Sequence, residues 1–153
     1  MNFEKKIEEL FIELPQVPKP LRGVVSAVQA GKILYVGGLL PFWDGKMAFK
    51  GRLGIEVSPD QGMMAARYAL MHGLSAIKTA LGSLNKVEKM VQLTGFLATG
   101  GEFKEHERVL DAASNLLYDI FGPAGKHTRN IVGVASLPQN ACLELALILE
   151  FGI

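Results

Sequence analysis

The sequence predicts an α+β domain: one mixed β-sheet with two long helices packed on one face. Three observations carry this. Strand-like and helix-like segments follow one another in the order β-β-α-β-α-β-β, which suits a helix layer against a sheet layer. In the last segment Leu143, Leu145, Leu147 and Leu149 alternate with Glu144, Ala146 and Ile148, so one strand face is uniformly apolar and fit to meet helices. At 153 residues, 49% hydrophobic and 20% charged, the chain has the size and composition to bury a single core.

The elements read in order as follows. Phe3, Ile7, Leu10, Phe11 and Leu14 recur at helical spacing among charged residues, which predicts a short amphipathic helix stopped by Pro15. Pro15 to Pro20 reads as extended linker. Residues 1–20 are thus expected as a helical arm and Pro-rich linker, and residues 21–153 as the domain. The arm's polar face carries more Glu than Lys, so it suits packing on the body or a neighbouring subunit better than an anionic membrane. Val24 to Val28 and Ile33 to Val36 predict a strand pair turning at Ala30-Gly31. Gly37 to Gly54 reads as irregular, with Phe42, Trp43 and Phe49 packed locally.

Ser58-Pro59-Asp60-Gln61 is a strong helix start, with a capping serine, proline at the first helical position and a capping-box glutamine. That helix runs to Leu81 and stops at Gly82. Val87 to Leu97 predicts an apolar strand, and Glu105 to Phe121 a second long helix ending at Gly122-Pro123. Two strands, about 127–135 and 142–150, close the chain through Leu137-Pro138-Gln139-Asn140.

Several function classes are disfavoured at this level. A net charge of +1 and no interleaving of basic and aromatic residues argue against nucleic acid. The glycine pairs lack the spacing of a phosphate cradle. One cysteine allows neither a disulfide framework nor a Cys-based metal site, and the three histidines lack zinc-ligand spacing, so no metal and no cofactor are expected. No apolar run approaches a membrane span and no leader pattern opens the chain, so a soluble cytoplasmic protein is the expectation.

Few residues can carry chemistry. Arg129 lies in a strand of apolar and small neighbours, where a cation needs a partner or an anionic ligand. Its planar fork matches a carboxylate, and a salt bridge with Glu144 of the next strand that merely closes the interface is the competing reading. Glu144 can hold or activate a water if burial raises its pKa, or serve only in that ion pair. His127, two residues from Arg129, shares its face and can line or orient the same cleft. Cys142 reads as an apolar filler, and Asp111 with Ser114, one helical turn apart, as a cap or interface hydrogen bond. The mixed Glu144 face is too apolar for bulk water and too uneven for a simple core, which points to a subunit interface containing a cleft.

The run Phe121-Gly122-Pro123-Ala124-Gly125-Lys126-His127-Thr128-Arg129-Asn130-Ile131-Val132-Gly133-Val134-Ala135-Ser136-Leu137-Pro138, with Leu143-Glu144-Leu145, resembles the C-terminal signature of the RidA/YjgF family. The resemblance is to the branch labelled endoribonuclease L-PSP-like and spans about residues 20–151. It implies a Bacillus chorismate mutase-like fold, a homotrimer with ligand clefts between subunits, and hydrolysis of a small reactive 2-imino acid to a 2-keto acid and ammonia. On this resemblance Arg129 clamps the substrate carboxylate, Glu144 attends the attacking water, and backbone groups around Ile131 face the imine. Val24, Gly37, Gly38 and His127 complete the implied binding positions. Where deaminating members carry an aromatic residue, a serine and a glutamine, Val24, Gly37 and Leu39 stand here, which makes the cleft more apolar. A non-catalytic protein that binds a small carboxylate, as regulator or chaperone, is the second reading. Ribonuclease activity is the third.

Overall fold

The computed structural model describes residues 2–19 and 21–152; Pro20, the end of the expected linker, lies outside the described residues. Five strands form the main sheet: β1 (Ala27–Ala30), β2 (Ile33–Leu39), β5 (Val87–Ala98), β6 (Thr128–Val134) and β7 (Leu143–Phe151). Their order is β1-β2-β7-β5-β6. The β5–β6 pair is parallel and the other pairs are antiparallel, so the sheet is mixed as expected.

Helices α2 (Pro59–Leu81) and α3 (His106–Phe121) cover one face of this sheet. Gly73 of α2 lies against Leu39 and Leu147, while Leu110 of α3 fills the space over Gly95, the partner of Leu145. Leu143, Leu145, Leu147 and Leu149 are all at most 1% exposed and form the floor of this core. The opposite face carries Val28, Tyr35, Ile148, Ala146, Phe96 and Val132 and has no helix over it. Among the described residues, no helix is long and apolar enough to cross a membrane.

The start of α2 is the one the sequence predicts. Ser58 accepts from the Gln61 amide at 3.1 Å, the Gln61 side chain returns the bond to the Ser58 amide at 3.0 Å, and Gly82 ends the helix at φ 87°. Both ends of the helix therefore satisfy backbone groups that the helix itself leaves unpaired.

Four expectations need correction. The arm helix α1 spans only Phe3–Glu9 and does not continue to Leu14. Phe11 takes a left-handed conformation, φ 56°, and the Phe11 and Ile12 amides bond back to Glu8 and Ile7 in a Schellman closure. The arm packs on the body, with Phe3 edge-on to Phe121 and Glu4 accepting from the Leu84 amide at 2.9 Å. Burial by itself would raise the Glu4 pKa, but that amide and Lys78 together hold it below the ordinary carboxylate value.

The first strand begins at Ala27, not Val24, because Leu21 to Val24 form a tight turn with Gly23 at φ 79°. The strand pair then reverses one residue later than expected, with Ala30 facing Ile33 across Gly31 and Lys32. The supposedly irregular segment holds a small hairpin of β3 (Phe42–Trp43) and β4 (Lys46–Met47). Asp44 and Gly45, both at positive φ, make its two-residue turn. Trp43 stacks on Tyr68 at 4.7 Å, so the hairpin is anchored to α2 and not only to itself.

Candidate functional site

Arg129 sits on the edge strand β6, paired with Leu93 of β5, which pairs in turn with Leu147 of β7. Paired residues share a sheet face, so Arg129 projects to the side covered by the helices. There its Nη1 donates to Asp111 Oδ1 at 2.8 Å and to Ser114 Oγ at 3.2 Å, both on α3. Asp111 and Ser114 are three residues apart and occupy the helix face beside the buried Leu110 and Ala113. Half exposed at 53%, Asp111 forms an ion pair that orients the guanidinium more than it stabilises the fold, contributing on the order of 0–1 kcal/mol.

His127 extends the cluster. Its Nδ1 lies 2.7 Å from the Gly125 carbonyl, which can only accept, so the ring proton resides there. Nε2 then presents its lone pair to the Ser114 hydroxyl at 2.9 Å. Ser114 therefore donates to His127 and accepts from Arg129. The turn that sets this geometry is tight: a Cβ on Gly125 would lie 2.4 Å from the Leu117 carbonyl oxygen. His127 thus fixes the hydroxyl that accepts from the arginine. Nη2 and Nε of Arg129 bond to nothing among the described residues, and the side chain remains 22% exposed.

Glu144 stands elsewhere. It pairs with Phe96, whose β6 partner is Val132, on the face without helices. Within one chain the Arg129–Glu144 ion pair does not form, because the two side chains leave the sheet on opposite sides. Among the described residues Glu144 makes no ion pair and no side-chain hydrogen bond. It lies over β2, where a Cβ on Gly38 would be 3.3 Å from its Oε1, so glycine leaves the carboxylate its room. Gly37 similarly meets Ala146. Beside them a shallow hollow of about 320 Å³ runs between Val25, Val28, Tyr35, Gly37, Ala146 and Ile148. Val24 is 62% exposed in the turn before β1.

The expected site residues therefore fall into two groups within one chain. Arg129, His127 and Ile131 belong to the helix side of the edge strand, and Glu144, Gly37 and Gly38 to the open face. Asp111 and Ser114 belong to the first group, although the sequence suggested only a cap or interface bond for them. Their spacing of three on a helix was the available signal, and the residue they serve is 18 positions beyond Asp111. Cys142 is fully buried just before β7, and burial pushes its thiol up to about 12, which fits an inert filler. The other two histidines make no bond to Arg129 or Glu144: His72 bonds to the Phe42 carbonyl oxygen, and His106 packs against Phe103 and over Gly133 of β6.

The chain and its fold have known relatives. A family model described as "YjgF/chorismate mutase-like, putative endoribonuclease" matches residues 4–151. Protein TCP17 of Trypanosoma cruzi is 35% identical over 145 residues, covering 94% of this chain and 91% of that one. The crystal structure of Atu1372 from Agrobacterium tumefaciens superposes with a TM-score of 0.90 at 36% identity, covering 99% of this chain and 92% of the other. A Shewanella oneidensis MR-1 structure described as a "putative endoribonuclease" gives a TM-score of 0.94 at 30% identity, covering 99% and 100%.

Proposed function

The chain belongs to the YjgF/chorismate mutase-like family, and on that premise we propose that it is an imine deaminase whose cleft is completed between copies of the chain. Arg129 clamps the carboxylate of a small 2-imino acid. Glu144 of an adjacent copy holds the water that attacks the imine carbon. The products are a 2-keto acid and ammonia. An imine is electrophilic already, so positioning and a held water suffice, with no covalent nucleophile required.

The observation that carries this reading is the condition of Arg129. Asp111 and Ser114 engage only Nη1, which leaves the Nη2–Nε edge without an internal partner on a rigid mount. A carboxylate can grip that edge in bidentate fashion. Glu144, equally without a partner, faces the other way, so one chain alone cannot bring both to one ligand. Two different patches from two copies can meet across a two-fold axis or head to tail, and a head-to-tail interface closes into a ring where its rotation allows. The homotrimer is the ring this reading adopts, with the apolar open face as its buried surface.

A small-carboxylate binder without turnover is the second reading, and one feature favours it. Val24, Gly37 and Gly38 bring no side-chain donor or acceptor to the Glu144 side. Escherichia coli TdcF, which shares the fold at 20% identity, was solved with bound serine, and this makes serine a reasonable first probe. Ribonuclease activity, the third reading, has less behind it, since the net charge is +1.

The test generates 2-iminopropanoate in situ and follows release of ammonia and pyruvate. Acceleration by the protein, lost by about tenfold or more in Arg129→Ala, supports the proposal. Serine binding that depends on Arg129 without acceleration favours the second reading. RNA cleavage that survives repurification and vanishes in Arg129→Ala favours the third.

A further inference from the structure

The clamp does not present a bare positive charge. Asp111 Oδ1 is 2.8 Å from Arg129 Nη1, and its second oxygen, Oδ2, bonds to nothing among the described residues. Arg129 in turn offers Nη2 and Nε. The outward surface of this pair is therefore a cationic fork with a carboxylate beside it. A simple carboxylate anion meets attraction from the fork and repulsion from Asp111. A ligand bearing a carboxylate and an adjacent cationic nitrogen meets attraction from both.

We propose that Asp111 is a specificity determinant that selects zwitterionic ligands, 2-amino or protonated 2-imino acids, over plain carboxylates. The inference rests on Arg129 being a carboxylate clamp and adds the charge state of the ligand. Asp111 favours the iminium form, C=NH2⁺, over the neutral imine. The iminium carbon is the better electrophile, so the same contact that selects the ligand prepares it for attack. The balance closes without a further reactant: iminium and water give the keto acid and an ammonium ion, and the proton that favoured attack leaves on the nitrogen. Ser114 and His127 act as positioning residues, because Ser114 accepts from Nη1 and His127 fixes the Ser114 hydroxyl, which keeps the fork and the Asp111 carboxylate side by side.

The experiment compares L-serine with L-glycerate, which differ in an ammonium against a hydroxyl, by calorimetry on the wild type and on Asp111→Asn. Asparagine keeps an oxygen for Arg129 and removes the charge. The wild type is expected to bind serine more tightly than glycerate by roughly fivefold, the scale of one partly exposed charge pair. In Asp111→Asn, serine binding weakens while glycerate binding strengthens. Opposite movements of two ligands cannot come from partial unfolding or a displaced arginine, which weaken both. Equal wild-type affinities, or a parallel change in the variant, overturn the selection by Asp111 while leaving the clamp intact. Failure of both ligands to bind the wild type overturns the clamp and this inference together.

Discussion

Arg129 and Glu144 project from opposite faces of one sheet, separated by the intervening strand β5: Arg129 pairs with Leu93 and faces α3, while Glu144 pairs with Phe96 and faces away. The two charged groups with the strongest chemical promise in the sequence are thus kept apart within a chain. Each lacks a full set of partners of its own, and a second copy is what unites them in the proposed mechanism.

The turn before Arg129 is expected to tolerate no side chain at Gly125. The added methyl of Gly125→Ala meets the Leu117 carbonyl oxygen, a backbone atom that cannot rotate away. The cost is about 1–3 kcal/mol as overpacking. Because the Gly125 carbonyl sets the His127 tautomer, ligand binding should fall as well. Denaturant titration and calorimetry on this variant check both effects.

His72 should make the fold sensitive to mild acid. Burial lowers its pKa from the ordinary 6.5, against the opposing influence of its bond to the Phe42 carbonyl, and Nδ1 is buried with no partner. The folded state thus resists the proton that the unfolded chain accepts. The unfolded chain binds more protons below about 6.5, so stability is full above that pH and falls as pH drops through the folded-state value. His72→Gln should flatten this part of the stability profile in urea titrations between neutral and mildly acidic pH. An unchanged profile would remove His72 as the cause.

The arm offers a stabilising change. Phe11 is 95% exposed and left-handed at φ 56°, a conformation costly for any residue with a Cβ. Glycine relieves that strain at the cost of extra freedom in the unfolded chain, for a net gain of about 0.5–1 kcal/mol. Phe11→Gly should raise the melting temperature by about 1–4 °C. Phe11→Ala, which keeps the strain, should leave it nearly unchanged.

These sites also show which parts of the molecule could be read from sequence. Local signals sufficed where the physics is local. The Ser58 to Gln61 capping box and Gly82 delimit α2, and the four alternate leucines of β7 identify its buried face. The arm misled because its helix ends on a left-handed Phe11, where glycine is the usual marker. The Asp44-Gly45 turn was a legible hairpin signal lost in a glycine-rich stretch. The orientation of Arg129 was not available locally at all. In β6, Ile131 speaks for one face as the inner one, and Val132 and Val134 for the other. Only the parallel register with β5 and the docking of α3 decide between them, and these also bring Asp111 and Ser114 to the guanidinium.

The central claim, that Arg129 and Glu144 act together across a boundary between copies, is tested most directly by complementation. Arg129→Ala and Glu144→Gln proteins are each expected to be inactive on 2-iminopropanoate generated in situ. Unfolded together and refolded as mixed assemblies, they should regain activity, because an intact arginine on one copy then meets an intact glutamate on the next. With random mixing in a head-to-tail ring, about a quarter of the sites are restored. No recovery, in mixtures that native mass spectrometry shows to contain both variants in one assembly, would contradict the account.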